Sequence, residues 1–161
     1  MVSDRGQALS VPVLCRPRQE VRLVVGPQER YFALDSLDNL VSRPYRLSND
    51  FDRMGVRLEG TKLSIGSALD MPSEGILRGA VQVPGSGDPI VLLADHQTTG
   101  GYPKIATVIS ADLDRFVQLR PGQIVQFRAV TAEQAVASLR TQRMQFQNYI
   151  AAMKNSLQPQ G

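Results

Sequence analysis

The sequence QTTGGY at residues 97–102 joins two apolar runs and offers more polar groups than a connecting turn needs. Strands can be joined by about two to five residues with simple turn chemistry. Here a glutamine offers a donor and an acceptor, two threonines and a tyrosine offer hydroxyls, and two glycines permit close approach of a ligand. The segment therefore suits one wall of a polar pocket for a small amide or carboxylate. Its six residues are Gln97, Thr98, Thr99, Gly100, Gly101 and Tyr102.

A wide hairpin is the alternative interpretation of this segment. In such a hairpin the threonine side chains would hydrogen-bond to their own backbone and would serve no ligand. Composition alone leaves both interpretations open, because the same residue types are favoured in either role.

A second candidate is the sequence DFDRMGVRLEG at residues 50–60. Arg53 and Arg57 lie four residues apart on either side of Met54, with Asp52 and Glu59 nearby. A guanidinium donates two parallel hydrogen bonds to a planar carboxylate, so this pair suits a carboxylated substrate or carrier. A set of exposed ion pairs, each of small energetic value, is the competing interpretation.

Other reactive side chains are sparse. His96 is the only histidine, and no group of cysteine, histidine and acidic residues has the spacing of metal ligands. Adjacent side chains on a strand point to opposite faces, which argues against Asp95 and His96 as an acid–base pair. Cys15 has no base near it in sequence. The phosphate-binding pattern G-x-x-x-x-G-K-[ST] is absent, so we expect this domain alone to bind neither a metal nor ATP.

The elements that would position these residues are mainly strands. Short β-branched runs bounded by glycine and proline predict strands at residues 21–25, 80–84, 89–95 and 104–110, around Val56 and Leu58, and after the Pro-Gly turn at 121–122. A short helix is predicted before Pro44, and a helix or turn at 111–119. Many short strands with few helices predict a compact β-barrel or sandwich.

A long amphipathic helix is predicted from Thr131 onward. Thr131 and Gln134 match the capping box Thr-x-x-Gln at its start. This helix could pack on its own barrel or on a second copy, or it could dock on a different subunit. Its apolar stripe consists of Ala135, Leu139, Phe146, Ile150, Met153 and Leu157.

Bulk properties indicate a single domain of 161 residues. We expect a cytoplasmic protein, because there is one cysteine, no apolar run of about 20 residues and no signal-peptide core. The pI of 9.3 reflects the two ends of the chain, since residues 19–130 carry 12 basic and 13 acidic residues. A nucleic-acid surface would place the excess positive charge on the body of the protein, so we expect no nucleic-acid partner.

Three segments resemble the second half of the biotin-dependent carboxyltransferase family: DRMGVRLEG, EGILRGAVQVP and PIVLLADHQTTGGYPKIATVISADL. Members include allophanate hydrolase subunit 2, the C subunit of 5-oxoprolinase and KipA-type proteins, and the same segment occurs in the carboxyltransferase region of urea carboxylase (urea amidolyase). The resemblance covers about residues 20 to 130. The family's glycine-rich first half has no counterpart here, and Phe51, Val56 and His96 replace residues common in the family.

The resemblance implies a cyclophilin-like closed β-barrel at residues 20–130, preceded by a leader or linker at 1–19 and followed by a C-terminal helix and tail at 131–161. It also implies a subunit or domain of a multi-subunit enzyme, catalytically incomplete alone. ATP or carboxybiotin would come from partner subunits, among them a sister of the type of allophanate hydrolase subunit 1 or the 5-oxoprolinase B subunit. The implied substrate-binding residues are Arg53, Met54, Arg57, Gln82, Gln97, Thr98, Thr99, Gly100, Gly101 and Tyr102.

Three functions are compatible with these observations. The first is a module of a urea amidolyase, allophanate hydrolase or 5-oxoprolinase enzyme, acting on a small amide or ureido substrate by carboxyl transfer or by ATP-dependent ring opening. The second is a non-catalytic regulatory module of KipA type that binds a sister KipI-type subunit. Peptidyl-prolyl isomerase activity, which only the barrel suggests, ranks last because a fold does not fix a function. The sequence identifies neither the substrate branch nor the general acid or base.

Overall fold

The computed structural model describes residues 16–66 and 72–156 of the chain. Cys15, Leu157 and most of the predicted leader lie outside these residues. In chain order the elements are β1 (Glu20–Val25), a 3-10 helix (Glu29–Tyr31), α1 (Ser36–Ser42), β2 (Pro44–Phe51), β3 (Gly55–Glu59), β4 (Glu74–Gly75), β5 (Ala80–Gln82), β6 (Ile90–Leu92), β7 (Thr99–Gly100), β8 (Lys104–Val108), α2 (Ser110–Phe116), β9 (Ile124–Ala129) and α3 (Ala132–Ser156).

Seven of these strands form a closed barrel in the order β1-β8-β5-β6-β3-β2-β9. Neighbouring strands are antiparallel except β9 and β1, which close the barrel in parallel. Strands β4 and β7 form a separate two-stranded ribbon. The prediction of a closed barrel with short helices and a C-terminal helix is confirmed.

The barrel interior is filled by alternate residues of each strand, because successive side chains of a strand point to opposite faces. Val21 and Leu23 of β1 are fully buried, and so is Tyr45 of β2, whose ring meets that of Phe127 at a centroid distance of 6.2 Å. The Tyr45 hydroxyl donates a hydrogen bond to the carbonyl oxygen of Thr61 at 3.0 Å. Burial raises the pKa of Tyr45 to about 12, so this phenol stays a neutral donor.

An ion pair between Arg22 and Asp112 joins the barrel to two helices. Asp112 on α2 is 1% exposed and accepts three hydrogen bonds from Arg22: from the backbone N–H at 2.9 Å, from Nε at 2.8 Å and from Nη2 at 2.7 Å. The remaining guanidinium nitrogen, Nη1, donates to Ser138 Oγ on α3 at 2.8 Å. Burial opposes ionisation of Asp112, but the hydrogen bonds and positive charge of Arg22 outweigh it and lower the pKa of this carboxyl.

Helix α3 begins with the predicted capping box. The Thr131 N–H donates to Gln134 Oε1 at 3.0 Å, and the Gln134 N–H donates to Thr131 Oγ1 at 3.2 Å. The first half of the helix then contacts α2 and β1, where Gln142 Nε2 donates to the Ala111 carbonyl oxygen at 3.3 Å. Among the described residues, no helix is long and apolar enough to span a membrane.

We predict that Asp112→Asn lowers the free energy of unfolding at pH 7 by about 3 kcal/mol, because Arg22 keeps its charge and loses its carboxylate. The folded-state pKa of Asp112 lies below its unfolded value of about 3.9, so its contribution is complete above that pH and is lost as the pH falls further. The difference in the free energy of unfolding between wild type and Asp112→Asn should therefore become smaller below about pH 4. Urea unfolding over a pH series measures it, and a constant difference down to pH 2 would contradict the assignment.

Candidate functional site

Pairing of β3 with β6 brings together the two segments that the sequence singled out. Gly55 lies opposite Leu92 in this antiparallel pair. The pairing continues past the strand ends, because Leu93 N donates to Met54 O and Asp95 N donates to Arg53 O, both at 2.9 Å. The turn at the tip of the β2–β3 hairpin is therefore fixed directly against the start of the connection from β6 to β7.

A cleft of about 590 Å³ opens between these two segments. Five of the predicted site residues line it, namely Met54, Arg57, Gln82, Gln97 and Tyr102. Arg53, Thr98, Thr99, Gly100 and Gly101 are not among its lining residues. The remaining lining residues, which the sequence did not mark as substrate-binding, are Asn49, Asp50, Phe51, Asp52, Gly55, Ile90, Leu92 and His96.

The two arginines of the DRMGVR segment play different parts in the structure. Arg57 lines the cleft and places Nε 3.4 Å from Asp50 Oδ2, so its charge is partly balanced at the cleft edge. Arg53 is 82% exposed and holds Asp95 with Nε at 2.8 Å and Nη2 at 3.1 Å. This pair joins the hairpin tip to the β6–β7 connection from outside the cleft.

Asp52 shapes the hairpin tip that carries Met54. Its Oδ1 accepts hydrogen bonds from the backbone N–H of Met54 at 2.8 Å and of Gly55 at 3.0 Å. Such side-chain caps of a turn are the usual role of aspartate in a short connection. The Met54 side chain is thereby presented at the cleft, where it is half exposed.

Asp95 and His96 do not act on each other. Asp95 is engaged by Arg53, whereas the ring of His96 lines the cleft and places Nδ1 2.6 Å from the carbonyl oxygen of Gln97. No three histidine, cysteine, aspartate or glutamate side chains are grouped for metal binding in residues 16–66 and 72–156.

The QTTGGY segment is held by the ribbon of β4 and β7. Glu74 lies opposite Gly100 and Gly75 lies opposite Thr99, and Ile76 N donates to Thr98 O at 3.0 Å. Residues 98–100 therefore face a second strand and are not a free hairpin tip. The ribbon fixes the backbone of this segment, while Gln97 and Tyr102 on either side of it line the cleft.

A buried glutamine ties the ribbon to the barrel. Gln28 is 6% exposed; its Nε2 donates to Glu74 Oε2 at 2.7 Å, and its Oε1 accepts from Lys104 N at 2.8 Å. Lys104 Nζ also lies 3.5 Å from Glu74 Oε2. Sequence reasoning missed this contact, because Gln28 and Glu74 are far apart in the chain and neither stands in a recognisable motif.

Comparisons with known proteins identify the family of the chain. Residues 5–129 match the family described as carboxyltransferase domain, subdomain A and B. The chain is similar to the C subunit of 5-oxoprolinase from Escherichia coli (strain K12), at 38% identity over 84% of this chain and 44% of the relative. It is also similar to the C subunit of 5-oxoprolinase from Haemophilus influenzae, at 51% identity over 56% of this chain and 29% of the relative.

A solved structure shares the fold. The crystal structure of the Kluyveromyces lactis urea carboxylase covers 81% of this chain with a TM-score of 0.76 and 21% identity, and the match spans 12% of that structure. The chain spans less than half the length of each of these three proteins.

We predict that Gln28→Leu loosens the ribbon and the QTTGGY segment, because it removes both hydrogen bonds and leaves Glu74 and the Lys104 N–H without this partner. Hydrogen exchange followed by mass spectrometry should show at least about tenfold faster exchange in peptides covering residues 74–76 and 97–102, because each lost hydrogen bond changes the opening free energy by about 1 kcal/mol. Gln126→Leu is the matched control, since Gln126 Nε2 donates to Val41 O elsewhere in the barrel. Equal exchange of residues 97–102 in both variants would show that the ribbon is held by other contacts.

Proposed function

Because this chain belongs to the carboxyltransferase domain family with subdomains A and B, we propose that it is one part of an enzyme assembly that acts on small amide or ureido substrates. The observation that supports the proposal is the convergence of Met54, Arg57, Gln82, Gln97 and Tyr102 on one cleft. The assembly would be of the 5-oxoprolinase or urea carboxylase type, since relatives carry those names.

The cleft has the composition that such substrates need. Amide and phenol groups donate hydrogen bonds to a carbonyl oxygen, and the Arg57 guanidinium suits a carboxylate at the opposite end of the same molecule. Apolar side chains of Phe51, Ile90 and Leu92 complete the lining and reduce contact with water. Donors placed in advance of the reaction stabilise negative charge that develops on oxygen.

The remaining predicted residues act as support in this proposal. Arg53 fixes the hairpin tip through Asp95, and residues 98–101 connect the ribbon to the cleft-lining side chains on either side. Either carboxyl transfer or ATP-dependent opening of an amide ring is compatible with this arrangement. The first would transfer the carboxyl group from the ureido nitrogen of carboxybiotin to a nitrogen of the substrate, and the second would use ATP to activate the substrate.

Partner subunits would supply these cofactors. Among the described residues, one arginine lines the cleft and Asp50 partly balances its charge, so the cleft is a poor match for the several negative charges of a triphosphate. An ATP site would then lie on another chain or domain, together with the biotinylated carrier where biotin is used. The proposed partner is a sister of the type of allophanate hydrolase subunit 1 or the 5-oxoprolinase B subunit.

The outer part of α3 is the proposed contact surface for that sister subunit. Met144 and Phe146 are 59% and 52% exposed, and Phe146 borders a groove of about 520 Å³ with Leu113 and Leu139. Exposed large apolar side chains beside a groove are typical of surfaces that bind another protein. A second copy of this chain is the competing occupant. The same surface would serve a regulatory module of KipA type, which is the alternative function.

We predict that Arg57→Ala lowers kcat/KM of the assembled enzyme at least 100-fold while the barrel stays folded, because a guanidinium that orients charge in the cleft is lost. The measurement is ATP-dependent release of glutamate from 5-oxoproline by the full-length protein combined with its sister subunits. Arg46→Ala is the control, since Arg46 is an exposed arginine that is not a lining residue of the cleft.

The outcomes separate the candidate functions. Glutamate release that depends on this chain supports the 5-oxoprolinase branch. Absence of glutamate together with carboxylation of urea on a biotinylated carrier supports the urea carboxylase branch. Absence of both reactions would leave the regulatory module, and unchanged kcat/KM in Arg57→Ala would refute the role given to this arginine.

We predict that Met144→Glu combined with Phe146→Glu abolishes co-elution with the sister subunit in size-exclusion chromatography and leaves the melting temperature within a few degrees. Burying two carboxylates in an apolar interface costs free energy, so binding should be lost. The fold should be unaffected, because both positions are exposed in the free chain. Asn148→Glu is the matched control on the same helix. Co-elution of the double variant would place the interface elsewhere, and a change in the size of this chain alone would indicate self-association.

A further inference from the structure

Gln82 is a buried side chain whose amide nitrogen has no hydrogen-bond partner in the part of the chain that the structure describes. It lies at the end of β5, is 2% exposed and lines the cleft. Its Nε2 atom has no hydrogen-bond partner among the residues that the structure describes. Buried amide groups are almost always hydrogen-bonded, because removing them from water without a partner costs free energy. A buried donor without an acceptor at the edge of a cleft indicates that an atom of a bound ligand accepts its hydrogen bond.

A second amide donor converges on the same place. A Cβ atom built on Gly100 would lie 3.2 Å from Gln82 Nε2 and 2.7 Å from Gln97 Nε2, with Ile76 Cδ1 also at 2.7 Å. Glycine at position 100 therefore leaves the space that lets the two amide groups approach each other. Gln97 is exposed, so its side chain can swing aside to admit a ligand and return over it.

The two donors define the chemistry of the ligand atom. Neighbouring amide N–H groups repel each other until an acceptor oxygen lies between them. Both amides are uncharged, and Asp50 partly balances the charge of Arg57, the arginine that lines the cleft. Uncharged donors beside an apolar atom such as Ile76 Cδ1 suit a neutral carbonyl oxygen better than a carboxylate or phosphate, which call for positive charge.

We propose that Gln82 and Gln97 form a two-donor site for one neutral carbonyl oxygen of the substrate, of the lactam or ureido class, with Gly100 as the residue that makes room for it. This inference rests on the proposed function and adds which atoms of the chain hold which atom of the substrate. The Gln82 N–H binds the oxygen from the protein interior, and Gln97 closes over it from the solvent side. Both donors would stabilise negative charge that develops on the oxygen during the reaction.

The test uses two pairs of small molecules on the purified full-length protein. 5-Oxoproline is compared with proline, which lacks the lactam carbonyl, and urea is compared with guanidinium, which lacks the ureido carbonyl. Binding is measured by ligand-observed NMR or calorimetry. Gln82→Met, which keeps the volume of the side chain and removes its polar group, should weaken the better-bound carbonyl ligand about tenfold, as expected for one hydrogen bond. Its melting temperature should change by no more than a few degrees, because the variant removes a buried N–H donor that has no partner among the described residues.

Two further variants keep the outcome decisive. Gln97→Ala should weaken the same ligand and leave the fold intact, because Gln97 is exposed. Gln118→Met makes the same change at an exposed glutamine that is not a lining residue of the cleft, and it should bind like wild type. If wild type binds 5-oxoproline or urea and Gln82→Met binds it equally well, the two-donor site is refuted while the proposed function stands. If wild type binds neither ligand better than its analogue, the two-donor site is refuted, and turnover of the assembled enzyme decides the proposed function separately.

Discussion

The antiparallel pairing of β3 with β6 is the contact on which the candidate site depends. Gly55 lies opposite Leu92, and a Cβ at position 55 would meet the carbonyl oxygen of Val91 at 3.1 Å, so the two strands approach closely at the end that faces the cleft. The backbone hydrogen bonds that extend this pairing hold Met54 and Arg53 against residues 93–95. Without this register the hairpin tip and the QTTGGY segment would not share a cleft, because about forty residues separate them along the chain.

The site combines a fixed backbone with side chains that remain able to move. The ribbon of β4 and β7, tied to the barrel through Gln28, sets the course of residues 98–100. Gln97 and Tyr102 lie just outside the paired residues and are exposed, so their side chains can adjust to a ligand. Gln82 belongs to the barrel itself and cannot adjust in the same way. An arrangement of this kind positions a substrate at one rigid point and allows closure over it.

The Arg22–Asp112 pair fixes the position of α3 against the barrel. One guanidinium reaches the carboxylate of α2 and a hydroxyl of α3, so the helix leaves the barrel at an angle set by a buried interaction. Further along α3, Met144 and Phe146 are exposed apolar side chains. The chain therefore presents a polar cleft and a separate apolar surface, as a component of a larger assembly needs.

Apart from β2 and the ribbon of β4 and β7, the sequence by itself determined the strands, the C-terminal helix and the identity of the cleft segments, because strand alternation, the Thr131–Gln134 capping box and the QTTGGY motif are local patterns. It also marked Met54, Arg57, Gln82, Gln97 and Tyr102, the five predicted residues that line the cleft. Only the tertiary structure decided that Arg53 faces Asp95 instead of the cleft, that Gln28 holds Glu74, and that Gln82 is a buried donor without a partner among the described residues. These facts depend on strand register and on contacts between residues distant in sequence, and residue types at local spacing do not encode which of those contacts form.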